Sequence, residues 1–187
     1  MEETRSEKAR GGELDLIERA RAGDREAFEA LMNRYRKDIY HLAYRIAGNH
    51  HDADDIAQDT FVKAYLSLKK FRGFSSFRTW IYSIALNTAR TVAGREGKSR
   101  KVMVPLTKET IMMAPERKNA EPETEVKERL AELMRLLPAR QREVLLLKIF
   151  HGMKHREIAR ALGITAGAAK ANLFHAIKFL RSRLEEK

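Results

Sequence analysis

The sequence of 187 residues predicts an all-α protein made of two small helical domains. Apolar residues recur every three or four positions along nearly the whole chain, and no stretch of useful length has the two-residue alternation of a strand. Residues 95–123 interrupt the pattern with polar residues and three of the four prolines. We therefore expect a four-helix N-terminal bundle over residues 1–94, a flexible linker over residues 95–123, and a C-terminal four-helix domain over residues 124–187 that contains a helix-turn-helix.

Two helices are predicted at the start of the chain. The first is short, from about Glu13 to Ala22, and Gly23 ends it. The second ends at Gly48-Asn49, because glycine readily adopts the left-handed conformation that closes a helix. Its apolar stripe consists of Phe28, Leu31, Met32, Tyr35, Ile39, Leu42, Ala43 and Ile46.

The third and fourth helices complete the predicted N-terminal bundle. Asp52 is a suitable N-cap for the third, and Ser76 or Ser75 for the fourth, which Gly94 closes. The inward stripe of the third helix is predicted to be Ala53, Ile56, Ala57, Phe61, Ala64, Tyr65 and Leu68. That of the fourth is predicted to be Phe77, Trp80, Ile81, Ile84, Ala85, Thr88 and Val92.

The helical signal returns after the linker. Pro138 fits the first turn of a helix that runs to His151 and ends at Gly152. A shorter helix follows, and Gly163 makes the turn into the last one. The last helix is predicted to pack inward with Ala169, Leu173, Ala176, Ile177, Leu180 and Leu184.

Composition excludes several classes of protein. Cysteine is absent, so neither disulfides nor thiolate metal sites contribute. No stretch approaches about 18 consecutive apolar residues, and the N-terminus lacks the apolar core of a secretion signal. We expect a soluble, cytoplasmic protein with no membrane insertion.

No catalytic constellation is evident. The histidines do not gather in a ligand set: His50 and His51 lie at a helix end, and Gly152 separates His151 from His155. We expect structural or surface roles for them. Neither a phosphate-binding Gly-x-x-x-x-Gly-Lys loop nor a Ser/His/Asp grouping is present. The sequence therefore predicts a protein that is not an enzyme, with no catalytic residues, no metal and no cofactor.

The charge is uneven along the chain. Of the net +11, residues 126–187 carry +8, with 14 Lys and Arg against 6 Asp and Glu. This excess suits a domain that lies against DNA phosphates, although RNA, anionic lipid or solubility would explain it equally well.

The C-terminal pattern of a short helix, a glycine turn and a longer helix is typical of major-groove recognition. The same periodicity is also compatible with a three-helix bundle that does not bind DNA. If DNA is bound, the outward positions of the last helix are the candidate contacts, namely Lys170, Ala171, Phe174, His175 and Lys178.

A second candidate site lies between Phe71 and Arg90, where aromatic rings alternate with cations in the manner of single-strand binders. Phe77 and Trp80 fall on the apolar stripe and are assigned mainly to packing. The remaining candidates for base and phosphate contacts are Arg72, Gly73, Phe74, Ser75, Ser76, Arg78, Tyr82, Asn87 and Arg90.

An acidic face stands out on the third helix, formed by Asp54, Asp55, Gln58 and Asp59. A solvated surface is the ordinary interpretation of such a cluster. The alternatives are a docking surface for a basic partner and a carboxylate metal site. Catalysis by these carboxylates is not expected, because no second acidic helix or Glu-x-x-His pair completes a metal cage.

With these motifs the chain resembles the extracytoplasmic-function (ECF) sigma factors, two-domain specificity subunits of bacterial RNA polymerase. The segment from Asp52 to Phe61 is similar to the core-polymerase-binding helix of that family, and Phe71-Arg72-Gly73 with Phe77 to Arg90 is similar to its promoter-melting segment. The motifs Leu137-Pro138, Arg142-Glu143-Val144, Glu157-Ile158-Ala159 and Leu162-Gly163-Ile164 look like its minus-35-binding domain.

The resemblance implies a transcription initiation factor whose partners are core RNA polymerase and promoter DNA, both duplex and single-stranded. It implies that the acidic face docks on the clamp helices of the largest polymerase subunit. It places a flipped minus-10 base in the loop from Gly73 to Ser76, with Asn87 and Arg90 nearby. The minus-35 groove would face Arg156, Lys170, Ala171, Phe174, His175 and Lys178. An anti-sigma factor is a further partner compatible with the family.

This chain departs from the family pattern at Thr91, at Gly167-Ala168-Ala169, and at Ala171-Asn172, where Ser-Arg is common. The last departure removes an arginine able to make a bidentate contact with guanine, so the promoter sequence is not predicted. Two rival functions remain at this stage. One is a stand-alone helix-turn-helix regulator that binds duplex operator without polymerase. The other is a helical nucleic-acid enzyme that uses Mg²⁺ at Asp54, Asp55 and Asp59.

Overall fold

The computed structural model describes residues 2–95 and 124–185, and both segments are helical without any strand. The all-α prediction, with four helices on each side of the gap, is confirmed. The predicted linker, apart from Arg95, lies outside the described residues. The helices are α1 (Glu2–Arg21), α2 (Arg25–Ala47), α3 (His50–Ser67), α4 (Phe77–Arg95), α5 (Thr124–Leu136), α6 (Ala139–Ile149), α7 (His155–Leu162) and α8 (Ala166–Glu185).

Helix α2 is the centre of the first half, residues 2–95, and packs against α1, α3 and α4. Asp24 caps its start by accepting hydrogen bonds from the backbone N–H groups of Glu26 and Ala27, at 2.9 and 3.1 Å. Gly48 ends it with a φ of 82°, and its N–H donates to the Tyr44 carbonyl at 2.8 Å. The side chains predicted to face inward from α2 are buried, apart from Met32 and Ile46, which are partly buried.

Four details of the first half differ from the sequence prediction. Helix α1 begins at Glu2 rather than near Glu13. Asn49, not Asp52, caps α3: the Asp52 N–H donates to the Asn49 Oδ1 at 2.8 Å, since the helix starts earlier and Asp52 falls in its first turn. Tyr65 is exposed, because its position lies at the edge of the buried stripe. Helix α4 also continues past the predicted Gly94 stop to Arg95.

The second half, residues 124–185, contains the helix-turn-helix. Pro138 immediately precedes α6, which ends at Ile149, slightly before the predicted end at His151. Gly163 has a φ of 65° and makes the turn between α7 and α8. The inner positions of α8 are Ala169, Leu173, Ala176 and Leu180. Ile177 and Leu184 were predicted inward and are exposed, because they lie beyond the edge of this narrow stripe.

The two halves pack against each other in this structure. Helix α4 contacts α7, and one buried cluster contains side chains from both halves. The guanidinium of Arg45 on α2 lies 4.3 Å from the centre of the Phe150 ring, at the end of α6. None of the helices in the described part of the chain has both the length and the apolar character needed to cross a membrane.

Candidate nucleic-acid and protein interfaces

The acidic face is solvent-exposed along α3, as the sequence predicted. Asp55 lies 3.5 Å from His51 and Asp59 lies 3.7 Å from Lys63, each one helical turn away. Exposed ion pairs of this kind are worth about 0 to 1 kcal/mol, so they compete weakly with a partner's cations. The four side chains therefore remain available for docking.

A groove of about 1140 Å³ runs between α2 and α3, beside the acidic face. Asp54 and Gln58 form part of its α3 wall, and Arg36 and Lys37 form part of its α2 wall. Its apolar lining includes Val62, Tyr65 and Leu66, and Leu66 is 73% exposed. An exposed apolar lining with charged rims is typical of a protein-binding surface.

Sequence reasoning missed Val62 and Leu66, because they lie outside the inward stripe of α3. A signal was present: Gln58, Val62 and Leu66 follow one another at four-residue intervals, so two large aliphatic residues continue the line of the acidic face. The candidate docking surface therefore has an acidic end and an apolar end.

The aromatic loop, residues 71–76, is partly buried and partly exposed. Phe71 is buried against Phe77 and Trp80, with ring centres 5.8 and 5.0 Å apart. Phe74 is 80% exposed at the loop tip, next to Gly73 with a φ of 73°. The loop therefore presents one unsupported aromatic face to solvent, which suits stacking with an unpaired base.

Helix α4 begins where this loop ends. The Ser76 hydroxyl accepts from the Thr79 N–H at 3.2 Å, which agrees with Ser76 as the predicted cap. Phe77 is buried and Trp80 is partly buried, as predicted for packing residues. Among the predicted contacts of the loop, Arg72 and Ser76 are exposed and Ser75 is partly exposed.

Three other predicted minus-10 residues on α4 contact the second half of the protein, although the Arg90 side chain stays 37% exposed, and the fourth, Asn87, is exposed. The Arg78 Nη2 donates to the His151 carbonyl at 2.5 Å, and the Tyr82 hydroxyl lies 2.9 Å from the His151 Nδ1. The Arg90 Nε and Nη2 donate to the two carboxylate oxygens of Glu143, each at 2.8 Å, and its Nη1 donates to the Asn87 Oδ1 at 2.9 Å. The structure therefore divides the predicted minus-10 set into an open loop and a covered helix face.

Burial determines the protonation states of the side chains where α4 meets His151. His151 is buried, and the loss of water together with the charges of Arg45, Arg78 and His41 lowers its pKa to about 3. The pKa of Tyr82 is raised, mainly by burial, and burial lowers the pKa of Arg45 to about 10. The imidazole and the phenol are therefore neutral at pH 7, while Arg45 keeps its charge.

Helix α8 presents its predicted contacts on one open face. Thr165 caps it by accepting from the Ala168 N–H at 3.0 Å. Phe174 is 63% exposed, and its ring centre lies 5.6 Å from that of His175. The exposed predicted contacts are Lys170, Ala171, Phe174, His175 and Lys178, together with Arg156 on α7.

Comparisons with known proteins identify the family of this chain. Residues 31–98 match Sigma-70 region 2, and residues 127–180 match Sigma-70, region 4. The RNA polymerase sigma-H factor of Pseudomonas aeruginosa is 31% identical over 181 residues, which cover 91% of this chain and 92% of that protein. The ECF RNA polymerase sigma factor SigW of Bacillus subtilis is 30% identical over 91% of this chain and 95% of its own length. The chain belongs to the ECF sigma factors.

Solved structures of sigma factors share the fold. The structure of CnrH in complex with the cytosolic domain of CnrY is 25% identical, has a TM-score of 0.69, and covers 93% of this chain and 97% of that chain. The sigma factor RpoE of Bartonella quintana, solved in complex with the anti-sigma factor NepR, has a TM-score of 0.65 at 18% identity, over 86% of this chain and 98% of that one. The predicted function as a transcription initiation factor is confirmed by the family. The stand-alone regulator is not favoured, because the match to region 2 accounts for the first half.

Proposed function

We propose that this sigma factor binds core RNA polymerase through α3, recognises a promoter at its minus-35 and minus-10 elements, and helps to separate the DNA strands. The observation that carries the proposal is the pairing of two exposed surfaces in one chain, the aromatic loop in the first half and the outward face of α8 in the second. Binding energy alone drives this scheme, with no nucleotide hydrolysed, so the protein is not an enzyme. It works in the cytoplasm, where it meets the polymerase and DNA.

The docking surface for core polymerase is the acidic face together with the groove beside it. Asp54, Asp55, Gln58 and Asp59 approach cations of the clamp helices of the largest polymerase subunit, and Val62 and Leu66 lie against its apolar side chains. The distribution of charge supports this role, because a carboxylate-rich face on a protein of net charge +11 is kept from DNA phosphates and open to a basic protein.

Strand separation is assigned to the aromatic loop and to α4. Phe74 stacks on an unpaired base of the minus-10 element, and the Gly73 to Ser76 segment receives the flipped base. Stacking is worth about 1 to 3 kcal/mol per base, so each captured base offsets part of the cost of unpairing. Arg72 contacts the neighbouring phosphates. Tyr82, Asn87 and Arg90 extend the strand-binding surface along α4.

Duplex recognition is assigned to α8. Its exposed N-terminal half enters the minus-35 major groove, where Lys170 and His175 donate hydrogen bonds and Phe174 makes an apolar contact with a base edge. Ala171 allows close approach of the helix, and Arg156 and Lys178 contact phosphates at either side. The +8 balance of residues 126–187 supports this assignment.

A protein inhibitor is a further proposed partner. The neighbouring structure of RpoE contains an anti-sigma factor, and CnrH is in complex with the cytosolic domain of CnrY. Both structures resemble this chain over most of its length, so an anti-sigma factor suits this fold as well.

Run-off transcription tests the proposed function directly. The purified chain is added to bacterial core polymerase on a library of genomic fragments, and we expect transcripts from a small set of start sites that core polymerase alone does not use. Absence of any specific start site would reject the proposal. The chain alone is incubated with DNA and Mg²⁺ in parallel: turnover that a chelator stops would favour the rival nucleic-acid enzyme.

Replacing Lys170 and His175 together by alanine is expected to weaken recognition of the upstream promoter element about tenfold, because each side chain supplies a contact from the exposed face of α8. The downstream element should be unaffected. The measurement is transcription from promoters with either element mutated. Arg181→Ala is the control, since it removes a cation from the same helix but far from its N-terminal half. Equal loss at both elements would contradict the assignment of α8.

A further inference from the structure

We infer that α1 holds the aromatic loop in the shape that captures an unpaired base, through a hydrogen bond between Glu13 and Tyr35. The inference rests on the proposed function of the loop and adds a positioning role for α1. Residues 31–98 match Sigma-70 region 2, so α1 lies outside the matched segment. We expect this helix to affect strand separation, and not the binding of polymerase or duplex DNA.

The contact between α1 and α2 contains a buried phenol. The Tyr35 hydroxyl donates to the Glu13 Oε1, and Tyr35 is 7% exposed. Burial and the nearby carboxylate both raise the pKa of Tyr35, so its hydroxyl keeps its proton and is the donor. The Glu13 Oε1 also lies 3.7 Å from the Arg34 Nη1, and the Glu13 side chain is only 19% exposed. The carboxylate of α1 is therefore held by two neighbouring residues of α2.

Tyr35 connects this contact to the aromatic loop. Its ring centre lies 5.5 Å from that of Phe77, the first residue of α4. Phe77 in turn contacts Phe71 and Trp80, with ring centres 5.8 and 5.4 Å away. Phe71 begins the loop and Phe77 directly follows its last residue. The position of the Tyr35 ring therefore influences the residues that fix both ends of the loop.

Helix α1 also packs against the segment that leads into the loop. This segment is a short 3₁₀ helix, Leu68–Lys70, and α1 contacts it. Ile17 and Ala20 of α1 are buried in the same cluster as Leu68 and Phe71. Helix α1 thus supports the start of the loop by direct packing and its end through Tyr35.

The tip of the loop has little packing of its own. Phe74 is 80% exposed, and the neighbouring Gly73 has a φ of 73°. A loop that already has its binding conformation loses less entropy when it takes up a base, so support from below increases its affinity. Loss of the bond between Glu13 and Tyr35 leaves a polar group with low exposure without its partner, and the surrounding side chains relax. We expect weaker capture of the base as a result.

Opening of a promoter tests the inference. The chain is assembled with core polymerase on a promoter found by run-off transcription, with a fluorescent adenine analogue in the minus-10 element that reports unstacking. We expect Glu13→Leu and Tyr35→Phe each to lower the ratio of open to closed promoter complexes about fivefold. The double variant should lose no more than either change alone, because both remove the same bond. Glu13→Gln keeps an acceptor oxygen and should open the promoter as the unaltered protein does.

A control variant separates positioning from a general loss of stability. Ile56→Val removes one methyl group from a different buried cluster, on the inward face of α3, and should lower thermal stability while leaving promoter opening unchanged. Binding of core polymerase, and of a duplex that ends upstream of the minus-10 element, should be the same for all variants. The inference is overturned if Glu13→Leu opens the promoter normally. It is also overturned if Glu13→Gln shows the same loss, or if polymerase and duplex binding fall as much as opening does.

Phe74→Ala distinguishes a failure of this inference from a failure of the proposed function. It removes the exposed ring of the loop and leaves the buried rings in place. If Phe74→Ala loses promoter opening and Glu13→Leu does not, the loop captures the strand and α1 does not position it. If neither variant loses opening, the loop does not capture the strand, and the proposed function of the loop is rejected together with the role of α1.

Discussion

Replacing Asp55 and Asp59 by lysine is expected to weaken binding of core RNA polymerase at least about hundredfold. Both carboxylates are exposed on α3, and their pairs with His51 and Lys63 are weak surface contacts. Lysine at both positions places like charges against the basic partner surface, and such contacts cost several kcal/mol, with about 1.4 kcal/mol for each factor of ten. The measurement is titration of labelled core polymerase with each protein.

The matched control is Asp15→Lys with Glu18→Lys on α1. These residues are also exposed, and the change in net charge is the same. We expect this control to bind core polymerase as the unaltered protein does, and both double variants to keep their helical content. Equal weakening by the two variants would show a general effect of charge. Undiminished binding of the α3 variant would remove the acidic face from the docking surface.

The apolar end of the same surface explains why the loss of affinity for core polymerase should exceed that expected for an isolated charge at the edge of an interface. Leu66 and Val62, which are 73% and 57% exposed, line the groove next to Gln58. Apolar contacts in this groove would fix the position of a bound partner relative to the acidic end of the surface. A lysine placed there by substitution therefore cannot move away from the opposing cations without giving up the apolar contacts.

Local patterns made most of the fold predictable. The stripe of α2 and its Gly48 terminus depend only on residues within a few turns of each other, so sequence is sufficient for them. The predicted N-cap of α3 was wrong because Asn49 and Asp52 are both good N-caps. A pattern of residue types does not choose between two nearby caps. Ile177 was placed inward because its spacing fits a wide stripe, whereas alanines at 169 and 176 make the real one narrow.

The candidate site was predictable only where it depends on one helix. The outward face of α8 follows from periodicity, and the structure exposes all five of its predicted contacts. The partners of Arg90 and Tyr82 do not follow from any local pattern, because Glu143 and His151 lie in another domain. Nothing about the spacing of His151 and His155 distinguishes a buried hydrogen-bonding side chain from a surface residue. Tertiary packing decides such contacts.

Lowering the pH from 8 to 5 is expected to shift the protein from a closed state, in which its two halves are packed together, to an open state, in which they are apart. The ratio of closed to open protein should fall about 30-fold. The groups around His151 are Arg45 and His41 on α2 and Arg78 and Tyr82 on α4, and burial with the nearby positive charges lowers its pKa to about 3. An exposed histidine has a pKa of about 6.5. The open state therefore binds more protons between these values, and closure loses stability as the pH falls below about 6.5. At pH 5 the loss is about 2 kcal/mol, and above pH 7 it vanishes.

The chain lacks cysteine, so Lys69→Cys and Ser182→Cys place one fluorophore on an exposed position of each half. The energy transfer between these labels, followed across this pH range, measures the effect. Arg45, with a pKa of about 10, and Tyr82, whose pKa is raised, keep their charge states from pH 5 to 8, so they do not contribute. Burial also lowers the pKa of the neighbouring His41, and His41→Gln measures its share of the response. His151→Gln keeps a hydrogen-bond partner for Tyr82 but does not titrate, and it should flatten the response. His155→Gln, at a partly exposed position on α7, should leave the response intact. A full response in His151→Gln would place the titrating group elsewhere, whereas a flat one would show that acid opens the protein by charging a single buried imidazole between its halves.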